Sequence, residues 1–133
     1  MLVASPPEGA IRREEPAVSA SEQSVLDPSI LDDVSGGDTE LIQELVELYV
    51  SDAEQQFSAL VQAAQTPDLE EIGRIAHALK GASASVGCQE ASSCFKRLEE
   101  MGRTGSADHL LPTVDEAREA LARARTALQK LAA

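Results

Sequence analysis

His77 is a candidate nucleophile because the helical positions around it are unusually bare. Gly73 and Gly81 lie four residues before and after it, so they flank the imidazole one turn away on each side. Each mid-helix glycine lowers the stability of the helix by about 0.5–1 kcal/mol relative to alanine. Two such residues around one histidine therefore indicate that the space they leave admits another molecule to the ring. A neutral imidazole can attack a phosphoryl group, and Arg74 and Lys80 would place positive charge beside the product. An exposed histidine with no partner is the alternative that these residues alone leave open.

The elements that position His77 are predicted to be helices. Apolar residues recur at steps of three and four, no strand-like alternation occurs, and short loops imply antiparallel neighbours. The predicted segments are a short helix that Asp27-Pro28 starts and Gly36-Gly37 ends, and longer helices over 38–65, 69–86, 88 to about 102–105, and 110–131. We therefore predict an all-α protein, an antiparallel four-helix bundle with a short extra N-terminal helix.

The core faces follow from the same spacing. In the first long helix it places toward the core a stripe in which Asp52 is the one exception to the apolar pattern: Leu41, Leu45, Leu48, Asp52, Phe57, Leu60 and Val61. In the second, the core stripe contains Ile72, Ile75, Ala76 and Leu79. His77 lies about 140° from the centre of that stripe and is predicted to face outward.

Composition excludes several classes of function. The chain of 133 residues carries a formal net charge of −12 and only 2% aromatic residues, so neither a nucleic-acid backbone nor unstacked bases would be bound well. No apolar run approaches the roughly 20 residues that span a bilayer, and no secretory signal is recognised. Cys88 and Cys94 point to different sides of one helical segment and are interpreted as half-buried reduced thiols, which favours a cytoplasmic location.

Charge and composition also vary along the chain. Residues 1–25 are rich in Pro, Ser, Ala and Glu, and are interpreted as a disordered arm or linker before a domain over 26–133. Residues 74–103 hold five bases and three acids, and are the only locally cationic part of an acidic protein. A chance scatter of basic residues would produce such a distribution, and so would a binding site for an anion.

The string from His77 to Gly87, HALKGASASVG, resembles the motif of histidine-containing phosphotransfer (HPt) domains. That motif has a histidine, any residue, a leucine or similar residue, a lysine and a glycine, and then another glycine six residues on. The resemblance extends over about residues 26–131. It implies that His77 accepts the phosphoryl group, that Lys80 neutralises it, and that Gly81 admits the partner.

The resemblance also implies a role for Glu99, which is 22 positions after the histidine. A polar residue there often hydrogen-bonds the ring in this family, and a carboxylate would favour the tautomer whose far nitrogen is free to attack. Some members carry Gln at this position. Ser85 and Gln89 are weaker candidates as phosphate donors.

Such domains are phosphocarriers and not enzymes, since the aspartate and the metal belong to the partner. We expect no cofactor or metal of the chain's own, with Mg²⁺ on a response-regulator receiver domain. The partners implied are receiver domains, a hybrid sensor histidine kinase, or both. We expect a monomer, free-standing or the C-terminal part of a hybrid kinase.

The sequence leaves one other class of function open and disfavours a second. A helical adaptor of the same fold, which binds signalling partners without accepting phosphate, is the alternative that the sequence leaves open. Acyl-transfer chemistry is disfavoured because the serines near His77 fall on predicted helices and not on a strained turn. His109, the second histidine, is interpreted as a surface residue.

Overall fold

The computed structural model describes residues 24–133, and within them all regular structure is helical. The prediction of an all-α bundle with a short extra N-terminal helix is confirmed. The residues 1–23 of the predicted arm lie outside the described residues. The helices are α1 (Pro28–Ser35), α2 (Thr39–Gln65), α3 (Leu69–Ser85), α4 (Gln89–Thr104) and α5 (Leu110–Ala132).

The helix boundaries follow from capping residues that the sequence shows. Asp27, Asp38 and Asp68 each accept hydrogen bonds from backbone N–H groups in the first turn of α1, α2 and α3. Gly36 and Gly105 end α1 and α4 in the left-handed conformation, with φ of 64° and 74°. These features explain why the predicted ends differ from the observed ones by only one or two residues.

Helices α3 and α4, which carry the candidate site, form the closest packing in the bundle. At their crossing Gly73 faces Gly102, and a Cβ on Gly102 would lie 2.6 Å from the Cα of Gly73. Since no side chain fits between two backbones at that distance, the two glycines fix how closely the helices approach.

The opposite side of α3 is tied to α2. Tyr49 is buried, and its hydroxyl lies 2.7 Å from the hydroxyl of buried Ser83. Burial raises the pKa of the Tyr49 hydroxyl, so it stays protonated and bonds to Ser83. This contact fixes the register of the helix that carries His77 against the core.

The predicted core face of α2 is correct at Phe57 and Leu60, which are buried, but is wrong by one residue around Leu48. Leu48 has 68% of its surface exposed, whereas the buried positions include Val46, Tyr49 and Ala53. A shift of one residue rotates a helix by about 100°. The charged Asp52 in the predicted stripe was the sign of the error, and the true stripe has Ala53 in its place.

The turn between α3 and α4 is closed by the segment before α1. Gly87 has φ of 86°, and a Cβ there would lie 2.5 Å from the carbonyl oxygen of Asp27. Asp27 also donates its backbone N–H to the Gly87 carbonyl at 2.8 Å.

Cys88 and Cys94 are free thiols, as predicted, but both are buried rather than half-buried. Burial raises the pKa of Cys88 to about 12.

Candidate functional site

His77 lies in the middle of α3 with 70% of its side chain exposed. Its neighbours Ile75, Ala76 and Leu79 are buried, so the outward direction predicted from the helical period is confirmed. The imidazole is therefore held on a rigid element and open to solvent. Groups held on helices are positioned more precisely than groups held on loops.

Glu99 on α4 contacts both titratable groups of the motif. Its Oε2 lies 2.6 Å from Nδ1 of His77, and its Oε1 lies 2.6 Å from Nζ of Lys80. A carboxylate can only accept, so Nδ1 carries the proton and donates it to Glu99. In the neutral ring this leaves the lone pair on Nε2, the nitrogen that does not contact Glu99.

The two contacts also change the acidity of Glu99. The hydrogen bond from Lys80 is the larger cause and the one from His77 the second, and together they hold the pKa of the Glu99 carboxyl below its usual value of 4.5. Glu99 is therefore ionised at neutral pH. One negative charge is shared by an imidazole and an ammonium group.

The two glycines that flank His77 have different surroundings. A Cβ on Gly81 would meet nothing within 4 Å, so the surface above the ring is open as predicted. A Cβ on Gly73 would lie 3.3 Å from the Cα of Gly102. The interpretation of Gly73 as an access residue is corrected, because it faces α4 and lets the two helices approach.

Arg74 does not place its charge beside His77. Its guanidinium donates two hydrogen bonds to Glu71, at 2.9 and 2.6 Å, on the exposed side of the first turns of α3. The resulting ion pair raises the pKa of Arg74 and lowers that of Glu71. The predicted contribution of Arg74 to the site is thus corrected, and Lys80 is the cation that the structure brings to the imidazole through Glu99.

The two weaker candidates are directed elsewhere. Ser85 donates its hydroxyl to the carbonyl of Ala82 at 2.7 Å, within its own helix. The side-chain oxygen of Gln89 accepts a hydrogen bond from Ser24 at 3.5 Å. Neither contact points toward His77.

One contact that the sequence did not indicate supports the site from below. Ser92 on α4 donates its hydroxyl to the backbone carbonyl of Lys80 at 3.1 Å. The bond joins the two helices about two turns of α4 before Glu99. No sequence signal distinguishes Ser92 from its neighbour Ser93, since the contact depends on how α3 and α4 cross.

Across residues 24–133, no group of three or more His, Cys, Asp or Glu side chains is arranged to hold a metal ion. His109 is exposed at the start of α5, with φ of 63° and no capping hydrogen bond from its side chain. None of the helices in this part of the chain is both long and apolar enough to cross a membrane.

Comparison with known proteins identifies the family. The Hpt domain family model matches residues 44–128, which is more than half of the chain, and the protein belongs to this family of histidine phosphotransfer domains. The matched region contains His77, Lys80, Gly81 and Glu99.

A solved structure shows the same fold. The crystal structure of histidine-containing phosphotransfer protein B (HptB) from Pseudomonas aeruginosa PAO1 is similar with a TM-score of 0.76 and 23% sequence identity. The match covers 81% of this chain and 94% of that one. No curated protein gives a significant match.

Proposed function

We propose that His77 is the phospho-acceptor of a phosphorelay intermediate. It receives a phosphoryl group from the aspartate of one receiver domain, or from a kinase domain, and returns it to the aspartate of another. The observation that carries the proposal is the contact of Glu99 with an imidazole whose side chain is 70% exposed. The contact leaves the lone pair of Nε2 free as the nucleophile while Nδ1 keeps its proton.

The transfer step balances with groups of the two proteins. The lone pair on Nε2 attacks phosphorus, the P–N bond forms, and the P–O bond to the partner's aspartate breaks with the carboxylate as leaving group. The ring becomes positively charged because Nδ1 retains its proton, and the Glu99 carboxylate at 2.6 Å offsets that charge. Return to a second aspartate is the reverse step.

Lys80 serves the incoming phosphoryl group in this proposal. Its ammonium has three donors, of which one bonds to Glu99, so another can turn toward the phosphoryl oxygens without loss of the first contact. About one-third of the Lys80 side chain is exposed, which gives it access to the same side as the imidazole. Gly81 leaves the space through which the partner's aspartate approaches.

The partner supplies Mg²⁺ in this scheme, and the chain has no cofactor of its own. Receiver domains or a hybrid sensor histidine kinase are the proposed partners. We also propose a cytoplasmic monomer, as the sequence predicts.

A transfer assay tests the function and distinguishes a carrier from an adaptor. Receiver domains encoded in the same genome are phosphorylated with labelled phosphate and mixed with wild type, His77→Gln and His109→Asn. Asn suits the positive φ at residue 109, so this variant controls for loss of a histidine without strain. We expect an acid-labile, base-stable label on wild type and His109→Asn, and none on His77→Gln. A folded wild type that takes no label while still binding receivers would show the adaptor instead.

A further inference from the structure

Lys96 and Arg103 lie on the edge of α4 that borders the His77 site. They are three residues before and four residues after Glu99, so all three side chains lie on one face of the helix. Both cationic side chains are exposed. Lys96 and Arg103 therefore lie about one turn of α4 before and after Glu99, the residue that contacts the imidazole.

Lys96 and Arg103 form no ion pair with any residue in the described part of the chain. Nine Lys and Arg residues fall within 24–133. Those with an ion pair are Arg74, Lys80, Arg97, Arg118, Arg123 and Arg125. Lys96, Arg103 and Lys130 have none there, although Glu100 lies within one turn of the first two.

A role in helix stability accounts for only part of this pattern. Arg103 and Lys130 lie in the last turns of α4 and α5, where positive charge interacts favourably with the helix dipole. Lys96 lies in the middle of α4, where that effect is absent. Lys130 therefore has the same favourable interaction with a helix dipole as Arg103 but does not lie on α4 near His77, and it serves as a matched control.

The surrounding charges make this edge distinctive. The whole chain carries −12, and α2, on the other side of α3, has five carboxylates and no base. An acidic partner is repelled by most of this surface and attracted at the α4 edge. The segment 74–103, which the sequence shows to be locally cationic, is where that edge lies.

We propose that Lys96 and Arg103 form a docking edge for carboxylates that surround the phosphorylated aspartate of the partner receiver domain. The proposal rests on the proposed function, since it takes the partner to be a protein that presents an acyl phosphate and Mg²⁺. A site that holds Mg²⁺ is built from carboxylates, so the partner's reactive surface is acidic. The α4 edge attracts that surface and α2 repels it, which orients the partner before transfer.

The test compares Lys96→Gln/Arg103→Gln with Lys130→Gln in the transfer assay. At about 50 mM salt and low partner concentration, we expect the double variant to transfer about three- to tenfold more slowly than wild type, because edge charges act mainly on association. The rate at saturating partner stays unchanged. At about 500 mM salt we expect the difference in transfer rate between the double variant and wild type to disappear, since exposed charges then interact over only a few ångströms. Lys130→Gln behaves as wild type throughout.

A binding arm separates this inference from the function on which it rests. The affinity of the same receivers is measured for His77→Gln with and without the double substitution, where transfer cannot occur. Weaker binding of the combined variant supports the docking edge, and equal binding overturns it. Equal transfer rates at low salt also overturn it while the proposed function stands. Absence of any label on wild type overturns the proposed function, and the binding arm then still decides the inference.

Discussion

The carboxylate of Glu99 joins His77 to Lys80, with one oxygen 2.6 Å from Nδ1 of the imidazole and the other 2.6 Å from the ammonium. His77 and Lys80, three residues apart on α3, are thus both held by one residue of α4. The geometry gives Glu99 two separable roles. It fixes which ring nitrogen is free, and it keeps Lys80 beside the ring.

Replacement of Glu99 tests the first role. Glu99→Gln keeps an oxygen that accepts from Nδ1 but loses the negative charge, whereas Glu99→Ala loses both. We expect transfer rates in the order wild type, Gln, Ala, with the Ala variant slower by about 10–100-fold, the range found when the hydrogen-bond partner of a metal-binding histidine is removed. The ¹⁵N spectrum of His77 provides the second readout, and only Glu99→Ala should lose the fixed tautomer. Equal rates in all three proteins would remove Glu99 from the mechanism.

Stability should depend on pH through the same residue. Lys80 and then His77 lower the pKa of Glu99 in the folded protein, so the stability that the contacts contribute is present above the unfolded value of 4.5 and is lost as the pH falls through the lower, folded value. The difference in unfolding free energy between wild type and Glu99→Gln should therefore shrink below about pH 5.

Urea unfolding at several pH values measures that difference. Glu100→Gln is the control, because Glu100 is exposed on the same helix and makes no ion pair in the described residues. A wild-type advantage over Glu99→Gln that persists undiminished to about pH 2 would contradict the assignment.

Gly81 should separate stability from function. A Cβ there meets nothing within 4 Å, so Gly81→Ala should stabilise α3 by about 0.5–1 kcal/mol through helix propensity alone. If a partner approaches at this point, the same substitution should slow transfer, and the larger Gly81→Gln should slow it further. Thermal unfolding and the transfer assay give the two readouts. Normal transfer by Gly81→Gln would show that the partner does not use this opening.

Gly102 should behave in the opposite way. A Cβ at this position would lie 2.6 Å from the Cα of Gly73 and 2.7 Å from the carbonyl oxygen of Leu69, so the α3 backbone must move. We expect Gly102→Ala to destabilise the protein by about 1–3 kcal/mol, the usual cost of overpacking. Chemical denaturation measures the loss. Unchanged stability would mean that the two helices can separate at little cost.

The sequence predicted most of the fold because the local signals were strong. Asp38, Asp68 and the glycines after α1 and α4 mark helix ends by their own chemistry, and the outward direction of His77 followed from the period of its helix. The middle of the core face of α2 could not be assigned in the same way. There the exposed Leu48 is more apolar than the buried Tyr49 and Ala53, and only packing against α3 and α5 decides which of them faces the core.

The site was predictable where it follows a motif, and not where it depends on contacts between helices. Glu99 contacts both His77 and Lys80, and Gly81 opens onto the same surface, as the resemblance implied. Arg74 was wrongly predicted to lie beside His77, because its guanidinium forms an ion pair with Glu71 on the same helix instead. The role of Gly73 depends on Gly102, which is 29 residues away and carries no signal of its own.

The position of the phosphoryl group on the imidazole is the most direct test of the account. The protein is phosphorylated by a receiver domain, and ³¹P and ¹H NMR of the intact product identify the modified residue and the modified nitrogen. The hydrogen bond from Nδ1 to Glu99 predicts a phosphoryl group on Nε2 of His77. A phosphoryl group on Nδ1, or on any residue other than His77, would contradict the central claim.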